Sequence, residues 1–522
     1  MIAVRAYRLY LGSMAALAFG LVMAETSRYG VGISPDSVVY VGQARELAAC
    51  DGILAGVLRM PAFATQPPLF PALLAAIQSV ARVDPVASAR VLNAVLFALC
   101  VLGTGWFVAG RTGAPVHPVV AVAVPLFVLL SRSLHAVFGM AWTEPLFVFW
   151  VLLFLVAMAC HLERGGSAHL AAAAGCAIAA CATRYSGVTL IATGALTILV
   201  APSGPAVRRV RNCAAFAGVT SIAVSLWIVR NLAVLGTPFG ERSPAVYGWL
   251  ENVVAAVGVL QGHLLPSSGE MGVAAKLAVV AAAAGLALWA ALPNAARVWT
   301  GMAKAWPVLL PCAVFALIFP VFTVVTASSI AFDPVNFRLL SPVYLPVLIV
   351  VALLASSAMD AAADSGPRLR IVTVVLLVLA AMQPLRQFAT DYRERARDGV
   401  GLNHRTWSES PTLAYLAEWF DRPADLPIFS NVPTALEWHL GIDARNGPVN
   451  TPCAHLPDVS AAACFEDHVP PEFFDGLLVH FAAQQYPYYY SLEELRRFVD
   501  LTPVAEPIDG GIYFVSRRGP PE

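Results

Sequence analysis

A bundle of membrane-spanning α-helices with a small α/β module at its C-terminal end is the fold class this sequence predicts, and three observations predict it. Apolar residues make up 58% of the 522 positions and charged residues only 13%, with a mean hydropathy of +0.70, whereas soluble domains carry about 25% charged residues. The apolar residues gather into runs, about eleven of which approach the roughly 20 residues needed to cross the hydrocarbon of a bilayer. Beyond residue 388 the pattern changes, and "DYRERARDGVGLNHRTWSESPT" opens a polar stretch that mixes short β-like runs with amphipathic helical ones.

The runs fall near 9–24, 91–110, 116–131, 144–161, 168–183, 186–201, 213–230, 272–292, 306–328, 338–356 and 370–386. The pair 168–183 and 186–201 reads either as two spans or as one element broken at "RYSG". Arg5 and Arg8, then Arg208, Arg209 and Arg211, then Arg297 and Lys304, then Arg368 and Arg370 all fall on one face of this arrangement. Basic residues of short connections stay on the cytoplasmic side. The N-terminus is therefore expected inside, with the long loop 25–90 and the C-terminal module extracytoplasmic, in a multi-pass protein of the cell (inner or plasma) membrane. The first run reads as an uncleaved anchor rather than a signal peptide, because ten more follow it.

In the tail, "LPIFSN", "DGLLVHF" and "GIYFVSR" read as strands, and "SPTLAYLAEWF" and "SLEELRRFV" as helices. Cys453 and Cys464 lie in this tail and can close a disulfide in an oxidising compartment. The cysteines in or beside the spans behave as small apolar residues. With 33 basic and 33 acidic residues the chain is formally neutral, which gives no electrostatic footprint for nucleic acid.

The informative residues are the charges at the extracytoplasmic rim. Asp36 lies in "GISPDSVVYVGQARELA", Arg132, His135 and Glu144 in "SRSLHAVFGMAWTEPLF", Arg184 and Tyr185 in "ATRYSG", Arg230 in "LWIVRN", and Asp333, Asn336 and Arg338 in "FDPVNFRLLSPVYLP". Charges so close to lipid are costly and are retained when paired, hydrated or functional. Four arginines beside three carboxylates make an anion site with acid/base groups next to it. A polyprenyl-phosphate sugar, with its tail in the bilayer and its charged head at the interface, suits such a site. The arginine fork matches phosphate oxygens. A carboxylate can take the proton of an incoming hydroxyl, and cations stabilise the departing phosphate.

Six stretches, "PDSVVY", "QPPLFPALLA", "TEPLF", "TRYSG", "WIVRN" and "FRLLSPVYLP", run in this order through nearly all of the membrane body and onto one predicted face. In this the chain resembles the integral membrane glycosyltransferases of the GT-C superfamily, in the family 39 branch related to protein O-mannosyltransferases and to bacterial sugar transferases acting on lipid A or core polysaccharide. The resemblance implies a GT-C-type domain over 1–388, including the outer loop 25–90, and an extracytoplasmic module over 389–522. It implies a hexosyl- or pentosyltransferase that uses a polyprenyl-phosphate sugar, with a lipid, polysaccharide or protein acceptor, and it implies Asp36 as catalytic base. Two departures stand out: Ser37 replaces the second acid common in relatives, and Gln66 replaces a histidine before the double proline.

Glu144 is the candidate supporting carboxylate. Arg338, Arg184, Arg132, Arg230, His135 and Tyr40 are the candidate substrate-binding residues, and Trp142 is a further stacking candidate. All of these but Arg132 have a plainer reading. Asp36 would cap a surface helix; Glu144 would interact with a helix dipole; Arg338 would pair with Asp333; Arg184 and Arg230 would anchor at the interface; His135 would be structural; and Tyr40 and Trp142 would follow the aromatic preference for this depth. "QPPLFP" is expected to shape its loop. Asp36, Glu144 and His135 have the chemistry of divalent-cation ligands without a compact motif, so no metal is assigned. The alternative function is a transporter or flippase of lipid-linked saccharide, a class that places polar groups near the bilayer midplane between broken helices. Here the span centres are Ala, Leu and Val, and the charges sit at the rim.

Overall fold

A computed structural model describes residues 2–110, 116–202, 204–240, 242, 244–264, 295–331, 333–363, 367–419, 426–450, 458–482 and 489–518, with scattered positions from 272 to 292. The chain forms two compact units. The first comprises Met1–Val31 and Val39–Arg397, the second Gly32–Val38 and Asp398–Glu522.

The first unit is helical. It begins with α1 (Ile2–Glu25), α2 (Pro35–Ala49, whose first residues belong to the second unit), α3 (Ile53–Arg59) and α4 (Leu69–Ala81). It continues with α5 (Pro85–Gly110), α6 (Pro118–Leu129), α7 (Arg132–Phe138), α8 (Glu144–Arg164), α9 (Ser167–Thr183), α10 (Val188–Val200), α11 (Ala206–Leu235) and α12 (Trp249–Leu264). The later helices are α13 (Ala295–Lys304), α14 (Trp306–Ala327), α15 (Phe337–Leu340), α16 (Tyr344–Ala363) and α17 (Pro367–Asp398). Among the described residues six helices are long and apolar enough to cross a membrane, or seven if the bent pair α6 and α7 is one span. The shorter apolar helices α9 and α10 account for part of the difference from about eleven expected runs. Of the run 272–292 only scattered positions are described.

Helix α8 is central. Of its most apolar window 78% is buried inside the protein, against 17% for α1 and 11% for α11. Helix α11 instead turns Val219, Ile222, Leu226 and Val229 outward, as a helix facing lipid should. Helix α9 packs on α8 and buries the small-residue stripe Ala173, Ala174, Ala177 and Ala180. Lipid chains are as apolar as leucine, so small residues that let backbones approach are what favours such contacts. Pro125 inside α6 and Pro311 and Pro320 inside α14 are tolerated because neighbouring elements re-satisfy the freed backbone groups. "RYSG" separates two helices: Arg184 is extended (φ −151°, ψ 141°) and a 3₁₀ turn, Tyr185–Gly187, follows. "QPPLFP" starts α4, with Pro68 as its N-cap residue and Phe70 and Leu74 buried.

The second unit is an α/β module. Its strands are β1 (Ile428–Ser430), β2 (Arg445–Asn446), β3 (Leu477–Phe481), β4 (Val499–Ala505) and β5 (Gly510–Arg517), in spatial order β2-β1-β3-β5-β4. Strand β1 runs parallel to β2 and β3, and β5 is antiparallel to β3 and β4. Helices α18 (Arg405–Ser408), α19 (Pro411–Glu418), α20 (Pro433–Leu440), α21 (Asp458–His468) and α22 (Leu492–Leu495) connect them. Phe429, Phe465, Phe473, Phe474, Leu478 and Val515 form the core. Asp509 holds the start of α19, accepting from the hydroxyls of Ser410 and Thr412 and from the Thr412 amide. Cys464, on α21, is disulfide-bonded; Cys453 lies outside the described residues. Position 388 falls inside α17, and the units divide at its end.

Candidate functional site

The rim of the helical unit holds a compact charge cluster built from three helix ends. Glu144 opens α8 directly before Pro145, and its side chain is 1% exposed. Arg184 follows the last turn of α9, where its extended backbone leaves the helix axis. Arg338 sits in the four-residue helix α15, whose N-cap Asn336 accepts from the amides of Arg338 and Leu339. Both guanidinium groups converge on one oxygen: Glu144 Oε1 is 2.6 Å from Arg184 Nη1 and 2.7 Å from Arg338 Nε. Arg184 Nη1 also donates to the Thr143 hydroxyl at 2.8 Å, and the Arg338 guanidinium lies 4.0 Å from the centre of the Trp142 ring.

Two cations against one anion give these three side chains a net positive charge. A carboxylate this deep would cost several kcal/mol if it stood alone, and the paired arginines remove that cost. The arginine side chains remain 20% and 15% exposed, so the positive character reaches the surface while the acid does not. The turn under Arg184 is fixed. Its amide donates to Ala180 and its carbonyl accepts from Gly187, and a Cβ on Gly187 would stand 2.3 Å from the Cys181 backbone nitrogen, so no side chain fits there.

The other expected site residues lie elsewhere. His135 is buried in a second cluster: its Nε2 faces the Leu129 carbonyl at 2.7 Å, and its Nδ1 is 3.4 Å from Glu25 Oε2. A carbonyl only accepts, so Nε2 carries a proton. Arg395 Nη1 approaches Glu25 Oε1 at 3.6 Å, and Arg132 pairs with Asp391 at 2.5 Å. A small cavity is lined by Glu25, Arg132, His135, Asp391, Tyr392 and Arg395, among others. Arg230 is occupied by backbone carbonyls at the end of α3. Tyr40 is buried edge-on against Phe70 at 5.8 Å, which leaves its ring packed rather than presented for stacking. Trp142 gives a ring face to Arg338. Arg338 pairs with Glu144, whereas Asp333, the neighbour weighed for that pairing, is exposed.

Asp36 is in the first turn of α2, within the segment Gly32–Val38 of the second unit. It is not the capping residue. Ser34 and Ser37 exchange reciprocal bonds, the Ser34 amide donating to Ser37 Oγ at 3.0 Å and the Ser37 amide to Ser34 Oγ at 3.3 Å, in the manner of a capping box. Ser37, in place of the second acid, has a helix-starting role. Among the described residues no group of three or more His, Cys, Asp or Glu is arranged to hold a metal ion. Glu144 is bound by two arginines, and His135 by a carbonyl and Glu25.

Thr143, Glu25, Asp391 and Arg395 were not among the expected residues. Thr143 was within reach of sequence reasoning through "TEP", where the residue before a helix-opening acid is a natural partner for the acid's own ligand. The other three lie just past the ends of apolar runs, where polar residues are ordinary.

No family model matches the chain, and no curated protein sequence does. Solved structures do. The crystal structure of ArnT from Cupriavidus metallidurans bound to undecaprenyl phosphate aligns over 96% of this chain and 97% of its own, with a TM-score of 0.52 and 14% identity. The Archaeoglobus fulgidus oligosaccharyltransferase in its apo form aligns over 97% of this chain and 74% of its own, with a TM-score of 0.52 and 11% identity. The chain has the GT-C fold. Within this GT-C fold, the Glu144 cluster occupies the junction of the α8 start, the α9 end and α15.

Proposed function

We propose that the chain is an inverting glycosyltransferase, moving a sugar from a polyprenyl-phosphate donor to an acceptor hydroxyl at the extracytoplasmic face of the cell membrane. The observation that carries this reading is the convergence of Arg184 and Arg338 on a single oxygen of buried Glu144. One carboxylate holds two guanidinium groups side by side and keeps their partly exposed surfaces positive, which is the preorganised geometry for the two phosphate oxygens of a phosphodiester. The undecaprenyl phosphate bound by the Cupriavidus structure supports the choice of anion, and the placement of Lys and Arg in the short connections supports the orientation.

In the reaction the acceptor oxygen bonds to the anomeric carbon as the bond from that carbon to the phosphate oxygen breaks on the opposite face. The acceptor proton passes to a carboxylate, and polyprenyl phosphate leaves with the bonding electron pair. Arg184 and Arg338 stabilise the charge gained by the phosphate. Glu144 holds these arginines and stays ionised. The base is assigned to Asp36 through the family resemblance.

The test uses the full chain in detergent with undecaprenyl phosphate as the binding probe. Arg338→Gln should weaken its affinity about tenfold or more, the effect of one lost charge-assisted hydrogen bond. Asp36→Asn should keep the affinity and abolish transfer from a polyprenyl-phosphate sugar. Unchanged affinity in Arg338→Gln would refute the anion site, and unimpaired transfer by Asp36→Asn would remove that residue from the mechanism.

A further inference from the structure

The residue after Arg184 touches something quite different. Tyr185 turns its hydroxyl toward the loop between α3 and α4, where it donates to the Ala64 carbonyl at 2.7 Å and accepts from Asn231 Nδ2 at 3.0 Å. Asn231 Nδ2 also donates to the Pro238 carbonyl at 2.9 Å, and Asn231 Oδ1 accepts from Arg230 Nη1 at 3.1 Å. Arg230 then closes the end of α3, donating to the carbonyls of Val57 (2.9 Å), Leu58 (3.1 Å) and Met60 (2.5 Å). A helix C-terminus leaves such carbonyls without intrahelical partners, and a cation there is favourable. One turn later Arg242 Nη2 donates to the Thr65 carbonyl at 2.9 Å. Gly240, at φ +73°, allows the same approach: a Cβ there would lie 2.5 Å from Thr65 Oγ1.

The stretch from Val57 to Thr65 is thus strapped by side chains, each donor meeting a main-chain carbonyl. Such bonds fix backbone position and are indifferent to the side chains of the strapped segment. Only one of the donors, Tyr185, is also part of the turn that presents Arg184 to Glu144. That turn admits no side chain at Gly187 and is bonded at both ends, so a pull at Tyr185 reaches Arg184 with little slack.

We propose that Tyr185 is a positioning residue for the anion site, its hydroxyl fixing, between the Ala64 carbonyl and the Asn231 amide, the turn from which Arg184 reaches Glu144. This deepens the glycosyltransferase reading and rests on it. The strapped loop sets the spacing of the two guanidinium groups through this hydroxyl, and with it the fit of the donor phosphate. Tyr185 does not touch the phosphate. Its effect belongs to the KM of the donor and not to that of the acceptor.

The experiment is a double-mutant cycle in the full chain, reading undecaprenyl phosphate affinity with transfer kinetics alongside. Tyr185→Phe removes one hydroxyl and should weaken the affinity about fivefold, the fold-change of one hydrogen bond, with donor KM raised and acceptor KM unchanged. In an Arg184→Gln background Tyr185→Phe should have no further effect, because coupled residues are not additive. Arg242→Met, which releases the same loop at Thr65 without touching the turn, should cost less than Tyr185→Phe. If Tyr185→Phe binds normally, weakens the Arg184→Gln variant by its full factor, or merely matches Arg242→Met, the positioning role is wrong while the anion site stands. If Arg184→Gln itself binds normally, the anion site is wrong and this inference falls with it.

Discussion

Among its described residues the helical unit holds two buried acids at its charged rim, Glu144 and Glu25, and they are treated differently. Glu144 meets two guanidinium groups at 2.6 and 2.7 Å on one oxygen. Glu25 divides its oxygens between His135 at 3.4 Å and Arg395 at 3.6 Å, and among the described residues neither Glu25 Oε1 nor Arg395 Nη1 has a hydrogen-bond partner. The first acid is held by charge-assisted bonds of ordinary length. The second meets a histidine packed between aromatic rings, Phe97 and Phe388 lying 4.9 and 4.8 Å from His135, and a small cavity lies beside it. Short, shared contacts hold the two guanidinium groups side by side. Long contacts around a void tie α1, α7 and α17 together and leave room to adjust.

The comparison breaks most visibly at Glu144. Glu144→Gln should lose about 3–5 kcal/mol of stability, the cost of stripping one partner from a buried ionic group, together with phosphate affinity; unfolding in detergent measures the first and undecaprenyl phosphate titration the second. Glu25→Gln should cost only about 1–3 kcal/mol, since the contacts it gives up are already long, and should leave that titration unchanged. A drop in affinity there as large as at Glu144 would erase the distinction between the two acids. The smallest effect is expected at Arg132, whose side chain is 54% exposed in its pair with Asp391: Arg132→Met should shift stability by less than about 1 kcal/mol. A larger shift would mean that this rim pair closes the Glu25 cavity.

The contrast also shows where the sequence speaks. Long apolar runs convert directly into helices, as with 144–161 and α8. Their ends do not. Helix α11 starts seven residues before its apolar run, at Ala206 rather than 213, because "VRRVRN" keeps the helical backbone while its arginines reach for water. Helix α17 runs on through "RQFATDYRERARD" to Asp398 for the same reason. Helices α3, α4 and α12 were not legible, being short segments whose faces are decided by what they pack on. In the module, β1, β3 and β5 match "LPIFSN", "DGLLVHF" and "GIYFVSR". The stretch "SLEELRRFV" is helical in its first half only: a capping box at Ser491 starts the helix, which stops at Leu495, and strand β4 begins at Val499, where pairing with β5 overrides local propensity. Rim charges could be read as a set. That Arg338 reaches an acid 194 residues away, and His135 one 110 residues away, depends on helix packing that no local pattern encodes.

The segment carrying Asp36 has a consequence for biosynthesis. The Ile33 carbonyl accepts from the Leu402 amide at 2.7 Å, and Ile33 forms a bridge with Gly401, so the C-terminal module borrows a piece from the front of the chain. At about 5–20 residues per second, Ile33 leaves the ribosome tens of seconds before its partner is made. Nearly every helix must be inserted in between. A module expressed from residue 398 onward would lack that piece, and supplying it as a separate peptide spanning 32–38 is the direct way to complete it.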